Sequence, residues 1–279
     1  MPHMLIFGPG YTASRLAAAL EAEGWRVTRA DRAMMADRNA MLAAIAAADH
    51  ILSSVPPAGG GDPVLARYGP ALAGTRLDWL GYLSSTGIHG DTGGAWVDEG
   101  APAAAPRRAA RAAADAAWLT LHPQARVFRL PGIYGPGRSA LDRVAAGKAH
   151  RIDLPDQVFS RVHVDDIVAG VCASLRAGPP GAYNLADDLP APQNAVVEAA
   201  CDLLGRPWPP LETLDAAALS PAARGFYAEN RRVANGKAKR LLGWAPLYPD
   251  YRAGLRALMA ISSPASESAQ PSAACQPHT

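Results

Sequence analysis

The chain has 279 residues, 49% of them hydrophobic and 19% charged. That composition supports a sizeable core and excludes global disorder, and the length allows one large domain or two small ones. Twenty-seven basic residues against 25 acidic ones leave a net charge of +2, so no general electrostatic attraction to nucleic acid or to an anionic membrane is expected. The three cysteines, Cys172, Cys201 and Cys275, are odd in number and widely spaced; neither a disulfide framework nor a metal centre is expected. The opening MPHMLIFGPG has no basic stretch and no long apolar stretch. No run of about 18 uncharged apolar residues follows, so the expectation is a cytoplasmic chain that does not enter membranes.

In chain order, Met4–Phe7 is an apolar run that stops at Gly8, and a helix is predicted from Thr12 to Glu23, closed by Gly24. A strand at Trp25–Thr28, a helix at Asn39–Ala48 and a strand at His50–Val55 follow. Asp62-Pro63 reads as an N-cap with proline at the first helical position, opening a helix at Val64–Ala73. A strand at Leu77–Ser84, a helix at Arg107–Leu121 and a strand at Ala125–Leu130 complete a strand–helix repetition. Such repetition implies right-handed crossovers and a parallel sheet. Beyond Pro131 the pattern loosens. Helices are predicted at Ser139–Ala146, Asp165–Leu175, Gln193–Leu204, Asn235–Leu242 and Tyr248–Ile261, with strands at Val158–Val164 and Tyr183–Ala186. Asp165 is the expected N-cap of its helix. Ser262–Thr279 is rich in Ser, Pro, Ala and Gln and is expected to be a disordered tail.

Gly8-Pro9-Gly10-Tyr11-Thr12-Ala13 has the form GxGxxA between a strand and a helix. Gly8 suits the tight turn, Gly10 lets a pyrophosphate approach the backbone, and Ala13 lets helix and strand pack closely. The helix start offers free N–H groups to phosphate oxygens. Tyr11 and Thr12 belong to the same loop, and Ser54, at the end of the third strand, is a further cofactor-binding candidate. Asp31 lies 21 residues after Gly10, where a carboxylate reads the adenosine ribose of NAD. Arg29 and Arg32 flank it, and Arg32 could instead pair with the 2′-phosphate of NADP. The cofactor expected is NAD or NADP.

Four further segments carry a resemblance: Leu83–Gly90 (LSSTGIHG), Arg129–Gly137 (RLPGIYGPG), Arg161–Ile167 (RVHVDDI) and Tyr183–Ala186 (YNLA). With the glycine loop they resemble the extended short-chain dehydrogenase/reductases, the group of NAD-dependent, nucleotide-sugar epimerases and dehydratases. The resemblance implies an α/β Rossmann core, a doubly wound parallel sheet over residues 1–130 with 158–178 returning to it. A smaller substrate-binding part over 131–261 would follow. It also implies hydride transfer on a small polar, sugar-like or acidic substrate, and a homodimer formed through core helices. The family's proton chemistry uses a Ser/Thr and a YxxxK pair, and the Ser role carries over to Ser85.

The departure lies in the helix that should carry YxxxK. Registering Asp115 on the family's acidic position puts Arg107 at the tyrosine and Arg111 at the lysine. Arginine keeps its proton, so Arg107 cannot act as an acid or base, although Arg111 can still donate to ribose hydroxyls. Candidate replacements are His89, which titrates near neutrality or is simply a turn residue bonded to backbone, and Tyr134. Arg107 and Arg111 share a helix face and could clamp a substrate anion. The alternative is a dinucleotide-binding sensor or scaffold without turnover. His163 is expected to anchor its segment to the core. The basic run 230–240 is expected to be a solvated helix face N-capped by Asn235, or part of an anion pocket.

Overall fold

The computed structural model describes residues 1–59, 61–103 and 108–262. Arg107 and the predicted tail from residue 263 onward lie outside the described residues. The first half runs β1 (His3–Phe7), α1 (Tyr11–Ala22), β2 (Arg26–Ala30), α2 (Arg32–Ala36), α3 (Arg38–Ala47), β3 (His50–Ser53), α4 (Pro63–Gly74), β4 (Trp79–Ser85), a 3₁₀ turn (Thr86–His89), β5 (Trp96–Val97), α5 (Ala109–Leu121) and β6 (Ala125–Leu130). The second half runs β7 (Gly132–Tyr134), α6 (Ala140–Ala145), β8 (Arg151–Ile152), β9 (Arg161–His163), α7 (Val164–Ser174), β10 (Gly181–Asn184), α8 (Gln193–Leu203), β11 (Leu211–Glu212), α9 (Pro221–Tyr227), β12 (Arg232–Val233), α10 (Gly236–Leu242) and α11 (Tyr251–Ser262).

Six strands form one parallel sheet in the order β10-β6-β4-β3-β1-β2. Numbered in chain order within the sheet, its strands run 2-1-3-4-5-6, a doubly wound α/β sheet whose order reverses between β1 and β3. The side-chain period of 2 splits β1 between two cores. Met4 and Ile6 pack with Leu16, Leu20, Ile167 and Val171 of α1 and α7. Leu5 and Phe7 pack with Ile45, Val64, Tyr68 and Trp118 of α3, α4 and α5. A third cluster joins α6, α8 and α11 through Leu141, Val197, Leu255 and Tyr134. Among the described residues no helix is long and apolar enough to cross a membrane.

Asp62 caps α4 as its sequence predicts, accepting from the amides of Val64 and Leu65 at 2.9 and 3.0 Å. Asp165 does not cap α7. His163 takes that place, its Nδ1 accepting the Asp165 N–H at 3.3 Å, while the Asp165 carboxylate reaches across to Arg15 of α1. The predicted strand at Val158–Val164 shrinks to Arg161–His163, because Phe159 makes only isolated bridges to Ala191 and Arg231. Asn235 precedes α10, but its side chain donates to Ala186 and Asp188 instead of capping.

Candidate functional site

Chain order reverses beside β1: the chain steps from β1 out to β2, then returns to β3 on the other side. Ligands of open α/β sheets bind beyond the carboxyl ends of strands at such a switch point. A cleft of about 600 Å³ opens there, lined by Tyr11 and Thr12 of the glycine loop, Ser54 after β3, Ser85 at the end of β4 and Pro131 after β6. A second cavity of about 500 Å³ continues from it past Ile133, Arg138, Phe159 and Phe226.

Gly8 has φ +70°, and a Cβ there would lie 2.8 Å from Val55 Cγ2, so the turn after β1 admits no side chain. Ala13 is fully buried between helix and sheet. Gly10 stands at the N-cap of α1, which has no side-chain cap. The helices α2, α3 and α4 are each capped by an aspartate. A Cβ built on Gly10 meets nothing nearer than the Gly8 carbonyl oxygen at 4.0 Å. The loop is thus a cradle with open space in front of a helix start whose first amides have no intrahelical partner. That fits a dinucleotide pyrophosphate. Tyr11 closes the loop's far side, its hydroxyl donating to the Pro136 carbonyl at 3.0 Å, with Arg15 and Arg138 over its ring.

At the end of β2, Asp31 caps α2 through the Met34 amide at 2.9 Å, and both Asp31 and Arg32 are exposed. Arg29 is held in an ion pair with Glu21, which leaves Arg32 as the neighbouring arginine at this end of the sheet.

Ser85 Oγ accepts the Gly87 N–H at 3.1 Å, which leaves its own proton to donate into the cleft. Arg111 lines the same cleft and donates to the Tyr82 hydroxyl at 3.0 Å. Burial pushes that hydroxyl up to about 12. Helix α5 is pinned by Asp115, which accepts from Ser84 Oγ at 2.7 Å and from Arg129 at 3.1 and 2.8 Å.

Two candidates do not face this cleft. His89 is 3% exposed, its Nδ1 against the Pro102 carbonyl at 3.1 Å, and burial lowers its pKa. Tyr134 lies in the α6–α8–α11 cluster against Gly254, and burial raises its pKa far above the usual phenol range. Sequence reasoning missed Arg108, Phe226 and Glu229, which line the cleft, and did not separate Arg231 from its basic run. Glu229 accepts from Arg108 Nε at 3.2 Å and from Arg231 Nη1 at 2.8 Å. No local motif marks these residues; the chain brings them together over more than a hundred positions. Elsewhere in the basic run Arg232 donates to the Gly94 carbonyl, Lys237 to the Ala182 carbonyl and Lys239 to Asp188, and Arg240 is exposed.

His163 is 1% exposed between the rings of Tyr134 and Tyr248. Burial holds its imidazole down at about 4, whereas an unfolded imidazole titrates near 6.5. Between these values the unfolded chain binds more protons. The part of the stability that rests on His163 is therefore expected to fall as the pH drops from about 6.5 towards about 4, against the opposite slope of Asp166 and Asp187, whose carboxyls burial raises to about 7 and about 8. Urea unfolding of the native chain and of His163→Gln at neutral pH and near pH 5 checks this: relative to the variant, the native chain is expected to be less stable at the lower pH than at the higher.

No family model matches the chain. Its structure superposes on that of a functionally unknown conserved protein from Silicibacter pomeroyi DSS with a TM-score of 0.84 and 41% identity, covering 93% of this chain and 99% of that one. It superposes on the human epimerase family protein SDR39U1 with NADPH with a TM-score of 0.72 and 15% identity, covering 92% and 99%. A 3-diazoavenalumate denitrifying reductase from a Streptomyces species is 36% identical over 143 residues. That stretch is 46% of this chain and 45% of the reductase, less than half the length of either.

Proposed function

Because this chain belongs to one family with the conserved Silicibacter pomeroyi protein, and has the fold of the extended short-chain dehydrogenase/reductases, we propose that it is an NAD(P)-dependent oxidoreductase acting on a small acidic substrate. The observation that carries this reading is the uncapped α1 start at Gly10, which shares one cleft with Ser85 and Arg111. The partial likeness to a reductase of 3-diazoavenalumate, an organic acid anion, supports both the reaction class and the substrate charge.

In this reading the amides from Tyr11 to Ala13 hold the pyrophosphate. Asp31 and Arg32 flank the adenosine ribose, Ser54 lies along the dinucleotide, and Arg111 donates to the nicotinamide ribose. Bound there, the nicotinamide supplies or accepts a hydride. Ser85 would donate a hydrogen bond to the substrate oxygen and orient it while keeping its proton, the neighbouring arginines would hold negative charge at fixed positions without giving up protons, and the proton that accompanies the hydride would be exchanged with water in the open cleft. Helix α5 carries neither tyrosine nor lysine, so no side chain of the YxxxK kind moves a proton here.

Ser85→Ala is expected to lower kcat roughly 10²-fold, the scale for removing one oriented donor, with dinucleotide affinity unchanged. Steady-state kinetics of reduced dinucleotide oxidation with a panel of acidic carbonyl and conjugated substrates measures this. The same feature of α5 favours the second reading, a dinucleotide-binding protein without turnover. Saturable dinucleotide binding with no oxidation on any substrate would select it.

A further inference from the structure

The substrate half of the cleft has a composition that narrows the ligand beyond acidity. Among the described residues, no asparagine, glutamine, histidine or aspartate lines it, and the one carboxylate, Glu229, is engaged by Arg108 and Arg231. It lacks the carboxylate and amide side chains that would meet the several hydroxyls of a sugar, its remaining side-chain acceptors being the hydroxyls of Ser84, Ser85, Thr86 and Ser160. The lining offers apolar surface instead, from Val158, Phe159, Val233 and above all Phe226. Phe226 stacks on Phe159 at 4.1 Å and 11°, yet remains 41% exposed at the junction of the two cavities. The exposed part of the ring is available to an aromatic partner.

Charge gives the other half of the argument. Arg108, Arg111, Arg138 and Arg231 face one glutamate, which leaves three net positive charges in the cleft. The pyrophosphate of a reduced dinucleotide brings two negative charges, which leaves one positive charge for the substrate to meet. Arg108 and Arg231 are splayed around Glu229 in fixed positions. Gly87 lets Arg108 lie across the turn after Ser85, where a Cβ would stand 2.6 Å from Arg108 Cδ. Among the described residues one nitrogen of each guanidinium is committed: Nε of Arg108 to Glu229, and Nη1 of Arg231 to Glu229 and the Gly90 carbonyl. The remaining N–H groups suit the bidentate geometry of a carboxylate.

Resting on the proposed oxidoreductase site, we propose that the substrate is a planar aromatic or conjugated monocarboxylic acid. Its ring lies on Phe226 and its carboxylate is held by Arg231 and Arg108, in place of a sugar nucleotide.

The test is calorimetric titration of the full chain, with and without reduced dinucleotide, using cinnamate, methyl cinnamate and UDP-glucose as probes. Cinnamate is expected to bind saturably, the ester at least about 30-fold more weakly, and UDP-glucose not at all at the same concentrations. Arg231→Gln is expected to weaken cinnamate at least about 10-fold and Phe226→Ala about 5-fold, with Phe226→Trp restoring it. Dinucleotide titration of each variant confirms that the fold and the other half of the cleft are intact. Tighter binding of UDP-glucose than of cinnamate, equal binding of acid and ester, or unchanged affinity in both variants would overturn the proposal. The dinucleotide titration separates the two readings. Cinnamate bound without any dinucleotide binding would sink the oxidoreductase assignment alone, and the converse would sink only the acid site.

Discussion

Asp115→Ala is expected to lower the unfolding free energy by about 3–5 kcal/mol, the scale for removing one partner of a buried ion pair. The Asp115 and Arg129 side chains are 3% and 8% exposed, and their contact is bidentate. Without the carboxylate, Arg129 keeps only its bond to the Glu99 carbonyl, and the Ser84 hydroxyl loses its acceptor. The uncompensated buried cation, more than the lost attraction, sets the size of the effect. Asp115→Asn retains one acceptor and is expected to cost less. The same substitution unpins α5 from β4 and β6, so Arg108 and Arg111 lose their fixed positions beside Ser85 and dinucleotide affinity should fall too. Urea unfolding followed by circular dichroism measures the first effect. A loss below about 1 kcal/mol would mean that this cluster does not hold α5 in place.

Gly10→Asp is expected to separate folding from binding. Gly10 has extended backbone angles, φ −82° and ψ −167°, that any residue adopts, and its Cβ would stand in open space. An aspartate there caps the N-terminus of α1 with its own carboxylate, so stability should be unchanged or raised within about 1 kcal/mol. The carboxylate then occupies the ground that a pyrophosphate would take and repels it. Dinucleotide affinity is expected to fall at least about 100-fold, roughly 2.7 kcal/mol. Thermal unfolding and calorimetric titration of the same preparation give both numbers.

The glycine loop, the strands feeding it and the capped α4 were legible because each depends on local rules: a period of 2, a turn that only glycine fits, and a side chain that caps its own helix. Helix α2 was missed because Arg32–Ala36 is one short turn, with a mixed pattern and no buried residue. The two-residue strands β5 and β12 pair across more than a hundred positions and are too short to show a period. Asp165 looked like a cap by residue type. Its carboxylate is drawn instead to Arg15, a tertiary contact that local propensity cannot register. The end of the cleft around Glu229 was the least legible part. Arg108, Glu229 and Arg231 meet only after α9 and β12 return beside the turn following β4, and nothing in the spacing of those residues announces it.

In the proposed function the start of α1 holds a nicotinamide dinucleotide beside Ser85. Titration of the full chain with NADH and with NADPH, followed by the fluorescence of the reduced nicotinamide and by heat, tests it most directly. One saturable site per chain in the micromolar range is expected for at least one of the two, lost in Gly10→Asp. Absence of heat and of fluorescence change at millimolar concentrations of both, with the native chain indistinguishable from Gly10→Asp, would contradict it.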